Sequence, residues 1–183
     1  MRADSASRWA GRGGLALGAA VLAVNFTWIA THWSEVRPIA RGDIAPPFVL
    51  PRLDENGQVA LEKLRGKVVL VDFWATWCDP CIASMPALER VYNRFHTEGF
   101  ELVSVNTEGF DEAPKIKAVA TRLGISFPVV VDDGDVAGKY HVTTFPHLVL
   151  IDRQGVVREV HRGVSRNLES HLAAQIERLL GAE

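Results

Sequence analysis

The chain has 183 residues, 48% of them apolar and 23% charged, and a formal net charge of −2. That leaves room for one domain with a proper core plus a tail, and it indicates neither a nucleic acid nor a strongly acidic partner. With only two cysteines, a disulfide-stapled framework and a four-cysteine metal site are both excluded.

The first segment differs in composition from the rest. Arg2, Arg8 and Arg12 precede nineteen uncharged positions, 13–31, which include Leu15, Leu17, Val21, Leu22, Val24, Phe26, Trp28 and Ile29. A helix of roughly 20 apolar residues spans a bilayer, and basic residues on one side keep that end in the cytoplasm. Residues 1–32 are therefore read as a membrane anchor, with the following domain outside the cytoplasmic membrane, in the periplasm. A cleaved signal peptide, giving a secreted form, is the competing reading; the apolar stretch exceeds a typical h-region of about 7–15 residues. Without residues 1–32 the chain carries 17 basic and 21 acidic residues, a mildly acidic balance.

Residues 33–44 read as a linker, where Pro38 and Gly42 discourage regular structure, and 45–183 as the domain. Phe48-Val49-Leu50 and Val59-Ala60-Leu61 flank the turn signal Glu55-Asn56-Gly57, which predicts a short hairpin covering a sheet edge. Val68 to Trp74 is a run apolar enough for a strand buried on both faces, and it leads into Cys78-Asp79-Pro80-Cys81. Ile82, Met85, Leu88, Val91, Tyr92 and Phe95 then recur at helical spacing, predicting a helix to about His96 that Pro86 should kink.

Leu102 to Val105 predicts the next strand, and Asp111 can cap a helix that ends at Gly124. Phe127 to Val131 reads as a strand, Asp133 to Tyr140 as a short helix, and Leu148–Ile151 with Val156–Val160 as a hairpin. A closing helix starts near Asn167. Alternating strands and helices call for an α/β sheet covered on both faces.

The two cysteines stand where a strand hands over to a helix. Unpaired N–H groups and the positive end of the helix dipole favour a thiolate there, which makes Cys78, at the N-cap, the nucleophile. Cys81, three residues on, would meet less solvent and serve as the resolving thiol. A Cys78 sulfur shielded from water, or out of bonding reach of Cys81, would contradict this reading. Half a zinc site lacks two ligands, and a structural disulfide would close too small a loop to constrain the unfolded chain much.

Asp72 interrupts the apolar strand six residues before Cys78. A buried, unpaired carboxylate is costly, so its presence suggests a proton acceptor for Cys81, with solvent contact at the strand end as the alternative. Trp77 offers a flat apolar docking surface, whereas Trp74 is expected in the core. Pro80 stiffens the helix start, and Asp79, between the cysteines, opposes a second negative charge on Cys78. A less acidic Cys78 favours a reductant over an oxidant.

Val-Asp-Phe-Trp-Ala-x-Trp-Cys-x-Pro-Cys over Val71–Cys81, with Pro86 five residues later, resembles the thioredoxin active site. The longer pattern, from Gly42-Asp43-Ile44-Ala45-Pro46-Pro47-Phe48 to Leu150-Ile151-Asp152-Arg153-Gln154-Gly155, is similar to the membrane-anchored TlpA/ResA-type thiol-disulfide oxidoreductases and covers about residues 42–180. The resemblance implies a thioredoxin fold: a central mixed sheet flanked by helices, with an N-terminal hairpin and a central helix-strand insert, for which the 64 residues between Cys81 and Pro146 leave room.

It also implies a cis bond at Phe145–Pro146, facing the cysteines and leaving the Phe145 backbone free to pair with a partner. Implied partners are protein disulfides of cytochrome c maturation or of the oxidase copper site, with a membrane thiol-electron donor and no cofactor or resident metal. Three positions depart from the pattern. Ser84 stands where a Glu is frequent, Asp72 where Asn is frequent, and His147 where Thr is common. A Cu(I)-handling metallochaperone and a peroxiredoxin-like peroxidase are the rival readings. Met85 is the one further soft donor near the cysteines, and Ala75 replaces the Thr that a peroxidase would need.

Overall fold

A computed structural model describes residues 6–31 and 37–182, with side chains from Leu17 onward. The chain divides into two compact units, Met1–Pro38 and Ile39–Glu183. Helix α1, Ala6–Thr31, forms the first. Its described apolar side chains, among them Leu17, Leu22, Val24 and Phe26, are exposed. Among the described residues no helix is long and apolar enough to cross a membrane. The side chains of positions 13–16, the start of the apolar stretch, lie outside the described residues, as do residues 32–36 at the supposed anchor-linker junction.

The second unit is built on a five-stranded sheet. Its strands are β3 (Val68–Trp74), β4 (Phe100–Asn106), β5 (Val129–Val131), β6 (His147–Ile151) and β7 (Val157–Arg162), in the order β5-β4-β3-β6-β7. β3, β4 and β5 run parallel; β6 is antiparallel to β3, and β7 to β6. The expected mixed α/β sheet is thus present. All seven residues of β3 are buried, as its apolar run, interrupted only by Asp72, leads one to expect of a central strand.

Side chains alternate between the two faces of a strand. Leu70 and Trp74 join a cluster with helix α2 (Asp79–Phe95), helix α3 (Ala113–Leu123) and helix α5 (Leu168–Gly181). Val69, Val71 and Phe73 join a second cluster on the other face, with helix α4 (Asp135–Lys139). Two successive right-handed crossovers in one direction place α2 and α3 together, and the return to β6 carries α4 to the opposite side.

The N-terminal hairpin pairs β1 (Val49–Pro51) with β2 (Gln58–Ala60). It covers the β5 edge as expected, through a bridge between Arg52 and Val130 and the Leu53 N–H donated to the Val129 carbonyl at 2.9 Å. The interval between Cys81 and Pro146 holds α3, β5 and α4 in addition to β4.

Several boundaries differ from expectation. Residues from Ile39 onward do not behave as linker: Ile39 and Ala45 are buried, and the Gly42 N–H donates to the Val157 carbonyl at 2.8 Å. This segment borders β7 because that strand's outer edge has unpaired main-chain groups. Asp111 does not cap α3 but lies in a short 3₁₀ turn before it, Phe110–Glu112. Pro114, which has no N–H to satisfy, occupies the first turn of α3, and Glu112 at its N-cap makes no side-chain cap bond. Strand β5 begins at Val129 rather than Phe127. Asn167 stands at the N-cap of α5 without a capping side-chain bond.

Candidate active site

β3 ends at Trp74, and the chain turns through Ala75, Thr76 and Trp77 to Cys78, whose N–H donates to the Ala75 carbonyl at 3.1 Å. Cys78 is the N-cap of α2, with extended backbone (φ −87°, ψ 90°), and its Sγ accepts the Cys81 N–H at 3.2 Å. One orphan donor of the first helical turn is thereby directed at this sulfur. Pro80 lies in that turn, where its missing N–H leaves nothing unpaired. Cys78 and Cys81 are disulfide-bonded, with Cα atoms 5.3 Å apart.

In this oxidised form Cys78 is 5% exposed and Cys81 0%. The anticipated ranking holds, but Cys78 is shielded from water, against the solvated nucleophile expected; that expectation fails for the oxidised pair, and exchange requires the Cys78 sulfur to become accessible on reduction. Each sulfur covers the other, and both belong to the α2-side core cluster. The solvent-facing feature beside them is the Trp77 ring, 65% exposed and edge-on to Phe145 with centroids 5.6 Å apart. Trp74 is fully buried, as expected. The Phe145–Pro146 peptide is cis, and the Pro146 carbonyl accepts the Gly163 N–H at 2.8 Å. Asp79 is the first residue of α2, exposed at the helix start.

Asp72 does not reach water at the strand end; it is fully buried. By alternation it shares the face of Leu70 and Trp74, which pack in one cluster with both cysteines. Its strand neighbours are Ser104 on β4 and Leu148 on β6. Burial pushes the carboxyl up to about 7, and a long hydrogen bond from Ser104 works against that rise. Ser84 does not substitute for an acid, because its hydroxyl donates to the Cys81 carbonyl at 2.7 Å.

His147 is buried, with neither ring nitrogen hydrogen-bonded. It is paired with Phe73 in the strand register and meets that ring edge-on at 5.9 Å, so it belongs to the face opposite the cysteines. Burial lowers it to about 4, helped by the charge of Arg162 across the β6–β7 pair. It therefore stays neutral around pH 7.

Sequence reasoning passed over Glu108. Its carboxylate accepts the Thr76 N–H at 2.5 Å and the Thr76 hydroxyl at 2.9 Å, and it pairs with Lys115 at 3.0 Å. Burial tends to raise it, but the bonds from Thr76, Lys115 and Asn106 hold it below the usual glutamate range. The contact was hidden by 32 residues of separation. It follows from the parallel register, in which Trp74 lies opposite Asn106, so that Thr76 and Glu108 are each two residues beyond a matched pair.

Among the described residues no group of three or more His, Cys, Asp or Glu side chains is placed to hold a metal ion.

This geometry has counterparts among known proteins. The family model for AhpC/TSA matches residues 41–160. The thiol-disulfide oxidoreductase ResA of Geobacillus kaustophilus is 33% identical over 153 residues, 82% of this chain and 86% of the relative. A provisionally assigned thiol:disulfide interchange protein DsbE from Chlorobium tepidum superposes with a TM-score of 0.72 at 33% identity, covering 78% of this chain and 99% of that one. The thioredoxin domain of a thiol-disulfide oxidoreductase from Bacteroides vulgatus gives 0.67 at 30% identity, covering 78% and 99%. The fold is thus thioredoxin-like, and the chain belongs to the AhpC/TSA family and, within it, to the ResA-type thiol-disulfide oxidoreductases.

Proposed function

We propose that the protein reduces disulfides of exported proteins with the Cys78/Cys81 dithiol, on the outer side of the cytoplasmic membrane. The observation that carries this reading is the position of Cys78. Its sulfur is the N-cap of α2, receives the Cys81 N–H, and is already bonded to the one other cysteine of the chain.

The Cys78 thiolate attacks one sulfur of the partner's disulfide, forming a mixed disulfide and releasing the partner's other sulfur as thiolate. Cys81 loses its proton to the Asp72 carboxylate, directly or through a water, and attacks the Cys78 sulfur. The mixed disulfide breaks, the second partner thiol leaves, and the Cys78–Cys81 bond remains. Two electrons have passed to the partner, and a dithiol donor in the membrane returns them. With a carboxyl pushed up to about 7, Asp72 is matched to taking and giving a proton near neutral pH.

Trp77 and the half-buried Phe145 form the docking surface, and the buried Pro146, through its cis bond, sets the direction of the Phe145 backbone. No main-chain hydrogen bond among the described residues engages the Phe145 N–H or carbonyl, so an extended partner segment can pair there. Pro80 holds the helix start, and Asp79 disfavours excess negative charge at Cys78, biasing the couple toward reduction.

The N-terminal segment anchors the protein in the membrane. In α1 the polar side chains Asn25 and Thr27 donate to the Val21 and Ala23 carbonyls, at 2.9 and 2.8 Å. One donor of each is thereby taken up by the helix itself, and the helix's apolar side chains are exposed. The partners are those of cytochrome c maturation or of copper-site assembly in the oxidase.

The test is capture with Cys81→Ala in the full chain. Envelope fractions should yield covalent, thiol-reversible adducts through Cys78, and their absence from both soluble and membrane fractions would sink the reading.

A further inference from the structure

Two hydrogen bonds tie the loop that presents the nucleophile to a side chain 32 residues away, outside the motif. Glu108 is anchored at its own end: its N–H donates to Asn106 Oδ1 at 2.9 Å, and Asn106 Nδ2 returns a bond to the carboxylate at 3.3 Å. The adjoining Thr107 N–H donates to the Trp74 carbonyl at 3.2 Å. Asn106 is fully buried and closes β4 opposite Trp74, so the anchor belongs to the sheet and not to a mobile loop.

The Glu108 side chain is only 10% exposed. A carboxylate so placed must be compensated. Thr76 supplies two donors, Asn106 a third and Lys115 a charge. Charge-assisted bonds of this kind are shorter and stronger than neutral ones. Their target, Thr76, is followed directly by Trp77 and Cys78.

We propose that Glu108 is a positioning residue for disulfide exchange: through Thr76 it pins the Trp77–Cys78 turn to the end of β4, and its charge, balanced by Lys115, sets how readily Cys78 becomes a thiolate. The inference rests on Cys78 being the nucleophile. The pinned turn carries the exposed Trp77 ring, so one clasp fixes both the attacking sulfur and the surface on which a partner docks. Nucleophile geometry is sensitive to displacements of about 1 Å, which a loop held at Thr76 by two bonds resists.

The charged groups around this unit come from several elements: Glu108 follows β4, the buried Asp132 follows β5 and donates its N–H to the Asn106 carbonyl, Lys115 and Glu112 come from α3 and its approach, Asp79 begins α2, and Asp72 lies on the cysteine face of β3. Lys115 is shared, at 3.0 Å to Glu108 and 3.8 Å to Glu112. Removing the charge of Glu108 and removing that of Lys115 should therefore act on Cys78 in opposite senses.

The experiment measures the rate at which the reduced full-length protein attacks a small aromatic disulfide, against pH, for the wild type, Glu108→Gln, Lys115→Gln and Thr76→Val. Charges in the neighbourhood of a titrating group move it by roughly half a pH unit to one unit, and Glu108 bonds to Thr76, two residues before Cys78. The rate midpoint should thus fall by about that amount in Glu108→Gln and rise in Lys115→Gln, a threefold to tenfold change in thiolate fraction. Thr76→Val keeps every charge but loses the hydroxyl bond. It should keep the wild-type midpoint while slowing attack on a protein disulfide more than on the small one.

Unmoved midpoints in both charge variants, alongside a normal wild-type titration, overturn the inference and leave the nucleophile assignment intact. A wild-type protein that shows no titrating attack, or one that Cys78→Ala does not abolish, overturns both. Should Glu108→Gln fail to fold, the Lys115→Gln midpoint decides, because that side chain is half exposed.

Discussion

Ser104 donates its hydroxyl to Asp72 Oδ2 at 3.4 Å, a long bond, while Asp72 Oδ1 has no partner at all. A carboxyl held this way inside a core is stable only when protonated or when something transient accepts from or donates to it. The relationship therefore describes a group poised to move a proton.

The pH dependence of stability has a definite sign. The folded-state value of Asp72, about 7, lies above its ordinary 3.8. Protons then bind the folded state more tightly, so the contribution of Asp72 to stability is fully present below pH 4, declines as pH rises toward 7, and levels off beyond. The loss is up to about 4 kcal/mol, at about 1.4 kcal/mol per pH unit. Asp72→Asn should remove it. Thermal unfolding of the oxidised protein at pH 5 and pH 8 checks this; an equal drop in variant and wild type would disprove it.

The same substitution should impair turnover. Without a carboxylate to take the Cys81 proton, the mixed disulfide resolves more slowly, by the roughly 10²-fold or more that a positioned general base contributes. Quenched-flow trapping should show the Cys78 adduct accumulating in Asp72→Asn. First-step attack by Cys78 should change much less.

His147 acts in the opposite direction. Its value of about 4 lies below the ordinary 6.5, so its stabilising neutral form is fully present above pH 6.5 and its contribution is lost as pH falls toward 4. Replacing it with Phe, which keeps a ring against Phe73, should reduce acid sensitivity in that window without altering the reduction potential. A shift in potential would show that the imidazole communicates with the cysteines.

Asp79→Asn removes a negative charge from the start of α2. The thiolate becomes easier to form, and the couple should become more oxidising by roughly 30 mV for each pH unit by which Cys78 is shifted. Equilibration with glutathione measures it. A more reducing variant would refute the proposed role of Asp79.

Trp77→Ala should weaken reduction of a protein disulfide by roughly twofold to twelvefold, matching the 0.5–1.5 kcal/mol typical of an aromatic pair. Attack on a small disulfide should be preserved. Equal losses on both would place the ring in the support of the cysteines and not in docking.

Much of this molecule follows from linear chemistry. An apolar run from Val68 to Trp74 has to be a strand buried on both faces, and two cysteines three apart at a helix start have to be near each other. Pro80 fits only the first helical turn. The periodicity from Ile82 to Phe95 selects the helix face that meets the sheet. All of these are interactions within a few residues, where spacing alone sets geometry.

The tertiary structure decided what depends on register. Whether Asp72 reached water or was sealed between β4 and β6 is not encoded in its own neighbourhood, and neither is the face on which His147 lies. The pairing of Trp74 with Asn106 aligned Thr76 with Glu108 across 32 residues, and the unpaired edge of β7 drew in a segment that reads locally as linker. Side chains find such partners only after the sheet has fixed which strands are neighbours and by how many residues they are offset, a collective outcome of burying two faces at once.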